Sequence, residues 1–204
     1  MKLIAETLSV MRGDRMVVTQ LTFAVDGGEA LMLTGPNGAG KTTVIRTIAG
    51  LLRPAGGQIR LEGAQPDRTP SEECHYVGHL NGVKASLTVE ENATFWSRYL
   101  GGAAADIEAA LATFGLGSAR DVPAGYLSAG QRRRLALARL LLAKRPIWLL
   151  DEPTVSLDQA SQAMLTKVVD KHLAGGGLVI AATHAPLGFA GSRELRLGAA
   201  ALAA

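Results

Sequence analysis

"GPNGAGKT", residues 35–42, decides how the rest of the chain is read. It fits the pattern G-x-x-x-x-G-K-[ST]. It follows a short apolar run with the character of a strand, "ALMLTG" (30–35), and leads into a segment from Thr42 to about Leu52 with the composition of a helix. Glycines in such a turn let the main chain curl so that successive N–H groups point inward at phosphate oxygens, and the helix N-terminus adds partial positive charge. Gly35, Pro36, Asn37, Gly38, Ala39 and Gly40 are expected to cradle the phosphates of a nucleotide, together with Thr43. Lys41 reaches the β- and γ-phosphates in this reading, and Thr42 turns its hydroxyl to Mg²⁺.

Outward from this loop the chain alternates strands with helices. "KLIAETLSV" and "MVVTQLTFAV" have strand-like alternation, "GGQIRLEG" reads as another strand, and "ECHYVGH" as an extended segment. From Thr88 to about Ala143 three helix-favouring segments follow: "TVEENATFWSRYL", "AADIEAALATFGL" and "AGQRRRLALARLLLAK". Strands resume with "PIWLLDE" and "LVIAATH", separated by a helix that puts Met164, Leu165, Val168, Val169 and Leu173 on one face. Asp158 suits the N-cap of that helix, Gly175 to Gly177 its stop, and the Ala-rich end "GAAALAA" a frayed tail. The fold class is α/β, a largely parallel sheet covered by helices with a helical block set into the chain.

Length and composition agree with a single domain. The chain has 204 residues, 48% hydrophobic and 19% charged, with a net charge of +3. No run of about 18 uncharged apolar residues is present to span a bilayer. The first residues lack the pattern of a signal peptide, and Cys74 is the only cysteine, which excludes an internal disulfide and fits a reducing compartment. The basic run in "QRRRLALAR" is read as a solvated helix face, and no nucleic-acid partner is inferred from it.

"IWLLDEPT" (147–154) supplies the second half of the site, because its buried strand delivers Asp151 to the edge from which the phosphate loop emerges. Asp151 is expected to hold Mg²⁺ directly or through water, and Glu152 to polarise the attacking water. His184 ends another apolar strand, "VIAATH", and is expected at the same edge, orienting water at the γ-phosphate. In "LSAGQ" (127–131), Ser128 and Gln131 taken alone make a capping box at the start of a helix. His75, His172 and Cys74 do not make a credible zinc site.

"GPNGAGKTT", "LSAGQ", "LLDEPT", "SLD" and "ATH" together, in this order and at this spacing, resemble the ATP-binding cassette family over almost the whole chain. The resemblance implies a RecA-like P-loop ATPase core with an antiparallel β subdomain, residues 1–78 and 147–204, and an inserted helical subdomain, residues 79–146. It implies ATP and Mg²⁺ as ligand and cofactor. It also implies an ATP-sandwich dimer in which Ser128, Ala129, Gly130 and Gln131 act on the nucleotide held by a second copy, with Asp158 in the D-loop at the same seam.

Two departures refine the resemblance. Where most members carry Gln in the loop that couples the subdomains, this chain has His79, within "GHLNGVK" (78–84). The resemblance makes His79 a catalytic candidate, at the place where the usual Gln senses Mg²⁺ and the attacking water. Imidazole titrates near neutral pH and an amide does not, so if His79 contacts the γ-phosphate or the metal's water, His79→Gln is expected to flatten the pH dependence of ATP turnover between about pH 6 and 8. Where an aromatic residue usually stacks on adenine, this chain has Arg12, whose planar guanidinium can also stack. "GHLNGVK" and the Ala of "LSAGQ" are similar to the ATP-binding subunits of cytochrome c maturation systems, the haem exporters. That likeness implies integral membrane partners and a peripheral place on the cytoplasmic face of the inner membrane. The alternatives are an ATPase subunit for another solute, a nucleic-acid-associated member of the family, and a P-loop kinase, which would leave "LSAGQ" and "SLD" unexplained.

Overall fold

The computed structural model describes residues 1–63, 68–102 and 106–198, so most of the Ala-rich end lies outside the described residues. Its contacts gather into two units: residues 1–76, 146–152 and 169–204 form the first, and residues 77–145 with 153–168 the second.

The first unit holds two sheets. β1 (Lys2–Arg12) pairs antiparallel with β2 (Arg15–Asp26), and a later strand, β4 (Gly56–Glu62), pairs antiparallel with the other edge of β1. Leu3 and Ala5 are buried and so are Leu8 and Val10, a set that strict alternation cannot place on one face. The register shift between Ala5 and Leu8 solves this: Thr7 takes φ 48° and donates its N–H to Thr22 Oγ1 at 2.9 Å. The extra residue brings both apolar pairs to the core side. Gly57 is required beside this bulge, since a Cβ there would lie 2.4 Å from the carbonyl oxygens of Glu6 and Thr7.

The second sheet contains β3 (Ala30–Thr34), β5 (Cys74–Val77), β6 (Ile147–Asp151), β7 (Leu178–Ala182) and β8 (Ser192–Arg196), in the order β5-β6-β7-β3-β8. β6, β7, β3 and β8 run parallel. β6 and β7 are buried along their whole length, as expected of strands covered on both faces. α1 (Lys41–Ile48) follows β3 and packs Val44, Ile45 and Ile48 into a core shared with Leu3, Phe23, Leu31, Leu149 and Ile180. It ends four residues before the expected Leu52. Gly50 at φ 73° turns the chain left-handed, with Leu51 N–H bonding Arg46 O and Gly50 N–H bonding Thr47 O, a Schellman stop. The edge strand β8, "SRELR", was not expected from sequence.

The second unit is helical. α2 (Val89–Leu100) begins in a capping box between Thr88 and Glu91, and the buried Asn92 ties the preceding loop by bonds to Lys84, Leu87 and Thr88. α3 (Asp106–Thr113) and α4 (Ala129–Ala138) complete it around Leu111, Phe114, Leu127 and Leu135. α4 was expected to continue to about Ala143, but it tightens to a 3₁₀ turn at Arg139–Leu141, a common helix ending. α5 (Gln159–Ala174) is divided between the units at Val168, and its buried Leu165, Val169 and Leu173 follow the expected stripe.

The basic run of α4 corrects the reading of a solvated face. Arg133 is only 3% exposed, and its guanidinium donates to Pro153 O, Gly78 O and Asn81 Oδ1. Arg132 donates to Leu127 O and Arg134 to Phe114 O. Arg139, 5% exposed, lies over the Trp96 ring at 4.8 Å. These cations satisfy main-chain acceptors and an aromatic face instead of presenting charge to a polyanion.

Candidate active site

The turn from β3 into α1 is built by its glycines. Gly35 has φ 124°, and a Cβ there would fall 2.3 Å from Leu197 O; Gly40 has φ 98°, and its Cβ would meet Val18 Cγ2 at 2.9 Å. Gly40 is also the N-cap of α1 and offers no side chain, so no side-chain oxygen occupies the first N–H groups of the helix. Such a terminus suits an anion. Lys41, only 7% exposed, folds back over the turn and donates to Gly35 O at 2.7 Å and Pro36 O at 3.2 Å. Thr43 is buried.

Thr42 Oγ1 donates to Asp151 Oδ1 at 2.9 Å, and Asp151, the last residue of β6, is 2% exposed. A hydroxyl and a carboxylate converging at this point are hard oxygen donors of the kind Mg²⁺ takes when phosphate oxygens and water complete its shell. The residues present therefore fit that ion.

Glu152 stands one residue beyond the strand in the left-handed region, φ 47°, with its N–H bonded to Ala182 O at 2.9 Å. A non-glycine residue there is strained, and the consequence is directional: the turn sends the Glu152 carboxylate toward the end of β7 instead of continuing the strand's alternation. Asp151 pairs in register with Ala182, so His184 arrives two residues later, its Nε2 3.4 Å from Glu152 Oε1. Thr183 pins that corner by bonding through Oγ1 to Ala185.

Most of these groups line one cavity of about 520 Å³. Asn37 to Thr43, Glu152 and His184 line it together with Arg12, Arg15 and Val17 of the β1–β2 hairpin. Gly35, Pro36 and Asp151 are not part of that lining; Asp151 reaches the site through Thr42. Arg15 and Val17 escaped the sequence reading. The available signal was the tight turn at Gly13-Asp14, which makes Arg12 and Arg15 cross-strand partners.

The remaining candidates belong to the helical unit. Ser128 and Gln131 form the capping box: Ser128 Oγ accepts from Gln131 N at 3.1 Å, and Gln131 Oε1 accepts from Ser128 N at 2.9 Å. Ala129 starts α4. Gly130 packs so closely that a Cβ would come 2.9 Å from Ser156 O, and Ser156 is itself left-handed at φ 67°. Asp158 caps α5 by accepting from Ser161 N at 2.8 Å; hydrogen bonding to Ser161, with Arg134 nearby, holds its carboxyl below the usual range. His79 is exposed and does not line the cavity.

Residues 18–155 match the ABC transporter family. The chain is 55% identical over 194 residues to a cytochrome c biogenesis ATP-binding export protein of Rhodopseudomonas palustris strain BisB5, covering 95% of this chain and 96% of the relative. It is 52% identical over 201 residues to the protein of the same description from Nitrobacter winogradskyi, covering 98% and 100%. Among solved structures, the ATP-binding subunit of an ABC transporter aligns with a TM-score of 0.81 at 27% identity, over 90% of this chain and 80% of that one.

Proposed function

This chain belongs to the ABC transporter family and is one of its ATP-hydrolysing subunits, and on that premise we propose that it drives a membrane complex of cytochrome c biogenesis, powering haem export or the release of a haem-loaded chaperone. The observation that carries the cargo is the likeness, over nearly the full length, to relatives described as cytochrome c biogenesis export proteins. No helix among the described residues is long and apolar enough to cross a membrane, so integral membrane subunits are the expected partners. The chain docks peripherally on them, at the cytoplasmic face of the inner membrane.

The residues divide the chemistry as follows. The N–H groups of the Gly35–Thr42 turn hold the α- and β-phosphates, and Lys41 swings from its loop carbonyls to the β- and γ-phosphates. Thr42 and Asp151, which meet at 2.9 Å, would hold Mg²⁺, and the ion would supply charge neutralisation on the phosphates. Water attacks the γ-phosphorus as the bond to the β–γ bridging oxygen breaks. Glu152 takes the water's proton, and His184, within reach of the Glu152 carboxylate, orients the nucleophile. Ser128 to Gln131 of a second copy close over the same γ-phosphate, with Asp158 at the seam, which makes nucleotide the bridge of a sandwich dimer. Hydrolysis splits that bridge and lets the dimer open. His79, in the loop that opens the helical unit, would couple this cycle to the membrane subunits.

The test is affinity purification of the Glu152→Gln protein from membranes with ATP present. Recovery of haem-handling membrane subunits is the expected result. Recovery of membrane subunits of a different transport system would overturn the cargo, and recovery of none would overturn the membrane role.

A further inference from the structure

Glu152 is held in a backbone conformation that its own sequence disfavours twice. It is left-handed at φ 47° without being glycine. It also precedes Pro153, whose ring crowds the residue before it and biases that residue toward extended backbone. Such a conformation persists only where the surroundings over-determine it. On the N-terminal side, the Glu152 N–H is fixed to Ala182 O at 2.9 Å. On the C-terminal side, the Pro153 carbonyl accepts from Arg133 Nε at 3.1 Å. The proline ring locks its own φ, so holding that carbonyl also limits how far the peptide between Glu152 and Pro153 can turn.

Arg133 is well placed to hold it. The side chain is 3% exposed, and a buried charge is costly unless hydrogen bonds satisfy it. Its Nη1 donates to Gly78 O at 2.8 Å and to Asn81 Oδ1 at 3.1 Å, so one end of the fork is anchored while the other serves Pro153. Gly130, three residues earlier on the same face of α4, packs against the same segment, where a Cβ would come 2.9 Å from Ser156 O. α4, residues 78–81 and residues 153–156 all belong to the helical unit. Arg133 does not line the nucleotide cavity.

Resting on the reading of Glu152 as the general base, we propose that Arg133 is a positioning residue for ATP hydrolysis: through Pro153 O it holds the turn that aims the Glu152 carboxylate. It acts through the backbone and not on the nucleotide. What it contributes is orientation, and a misplacement of about 1 Å can cost about 100-fold in rate.

The experiment is a double-mutant cycle on the full-length chain with Mg²⁺, comparing the parent, Arg133→Gln, Glu152→Gln and the double variant. Single-turnover hydrolysis gives the rate, and displacement of trinitrophenyl-ATP gives the ATP affinity. Arg133→Gln should slow hydrolysis about 10- to 100-fold and leave ATP affinity within about 2-fold. In the Glu152→Gln background the same change should cost less than about 2-fold, because a base already removed cannot be misaimed. Equal factors in the two backgrounds overturn the proposal, since Arg133 then acts through the Ser128 turn or the fold at large. So does a loss of affinity that matches the loss of rate, or an Arg133→Gln protein as fast as the parent. If Arg133→Gln does not fold, Arg133→Lys takes its place with the same outcomes, because it keeps the charge but has no fork to serve both ends. If Glu152→Gln alone hydrolyses as fast as the parent, the reading of Glu152 as the base fails first, and this proposal falls with it.

Discussion

Glu152 carries two separable burdens, a backbone strain and a carboxylate, and three substitutions pull them apart. At φ 47° a non-glycine residue is disfavoured by about 1–2 kcal/mol. Glycine escapes that strain but gives up about 0.5–1 kcal/mol to the freedom it has in the unfolded chain. Glu152→Ala keeps the Cβ and the strain, whereas Glu152→Gly releases it, so the Gly protein should be the more stable of the two by about 0.5–1 kcal/mol. Both lose the contact with His184, which is worth little because the imidazole is half-exposed. Glu152→Gln retains shape and strain and should match the parent within about 0.5 kcal/mol. All three should bind ATP and hydrolyse it about 100- to 10,000-fold more slowly, the usual contribution of a positioned general base. Urea denaturation of the purified chains measures the first effect and single-turnover hydrolysis the second. An Ala protein as stable as the Gly protein would refute the strain, and a Gln protein retaining a tenth of the parent's turnover would refute the base.

Thr42→Ala removes the hydroxyl that bonds Asp151 and should raise the Mg²⁺ concentration needed for half-maximal hydrolysis at least several-fold, read from a titration at fixed ATP. The same change leaves a buried carboxylate short of a donor, at a cost of about 1–3 kcal/mol in denaturation. Gly57→Ala forces a Cβ onto the carbonyls of the Thr7 bulge in a left-handed residue, so it should destabilise the chain by at least about 2 kcal/mol while leaving ATP affinity in the residual folded protein unchanged. His172 stacks on Trp148 at 3.8 Å, and burial holds its pKa below the usual value. The unfolded chain therefore binds the proton more readily than the folded one. Stability should be full above about pH 6.5 and fall as the pH drops through the folded value, and His172→Phe should flatten that fall in denaturation curves from pH 7.5 to 5.5.

What the sequence revealed follows from how local each signal is. The phosphate turn, the paired acids and His184 are short motifs at strand ends, and a parallel sheet places all such ends on one edge; β3, β6 and β7 do this here. β8 went unread because "SRELR" is an edge strand with only Leu195 half-buried: its partner is the backbone of β3, and backbone pairing leaves no apolar alternation. Arg133 was misread for the opposite reason. Charge looks like a solvated face in one dimension, but the acceptors that bury this guanidinium, Gly78, Asn81 and Pro153, are supplied by segments distant in sequence. Arg15 entered the cavity only through its pairing with Arg12, a relation between strands that composition does not carry.

The helix cap seen in "LSAGQ" and the phosphate-facing turn proposed for it would use different atoms. In the capping box Ser128 Oγ is an acceptor, engaged by Gln131 N–H, while the Ser128 N–H is taken by the Gln131 side chain. A hydroxyl has one donor as well as two acceptor lone pairs, so its proton remains available. The N–H groups of Ala129 and Gly130, the first two of α4, are not used by the box. Capping therefore fixes the rotamer of Ser128 and the pitch of the turn while leaving one O–H and two N–H donors to meet an anion brought by another molecule. If the two roles were instead exclusive, Gln131→Ala, which removes the acceptor of the Ser128 N–H and keeps the main-chain bond to Ser128 Oγ, would free that N–H and speed hydrolysis in the dimer. If they cooperate, the same substitution should slow hydrolysis about 10-fold with ATP affinity unchanged, since a loosened Ser128 loses the orientation on which transition-state stabilisation depends.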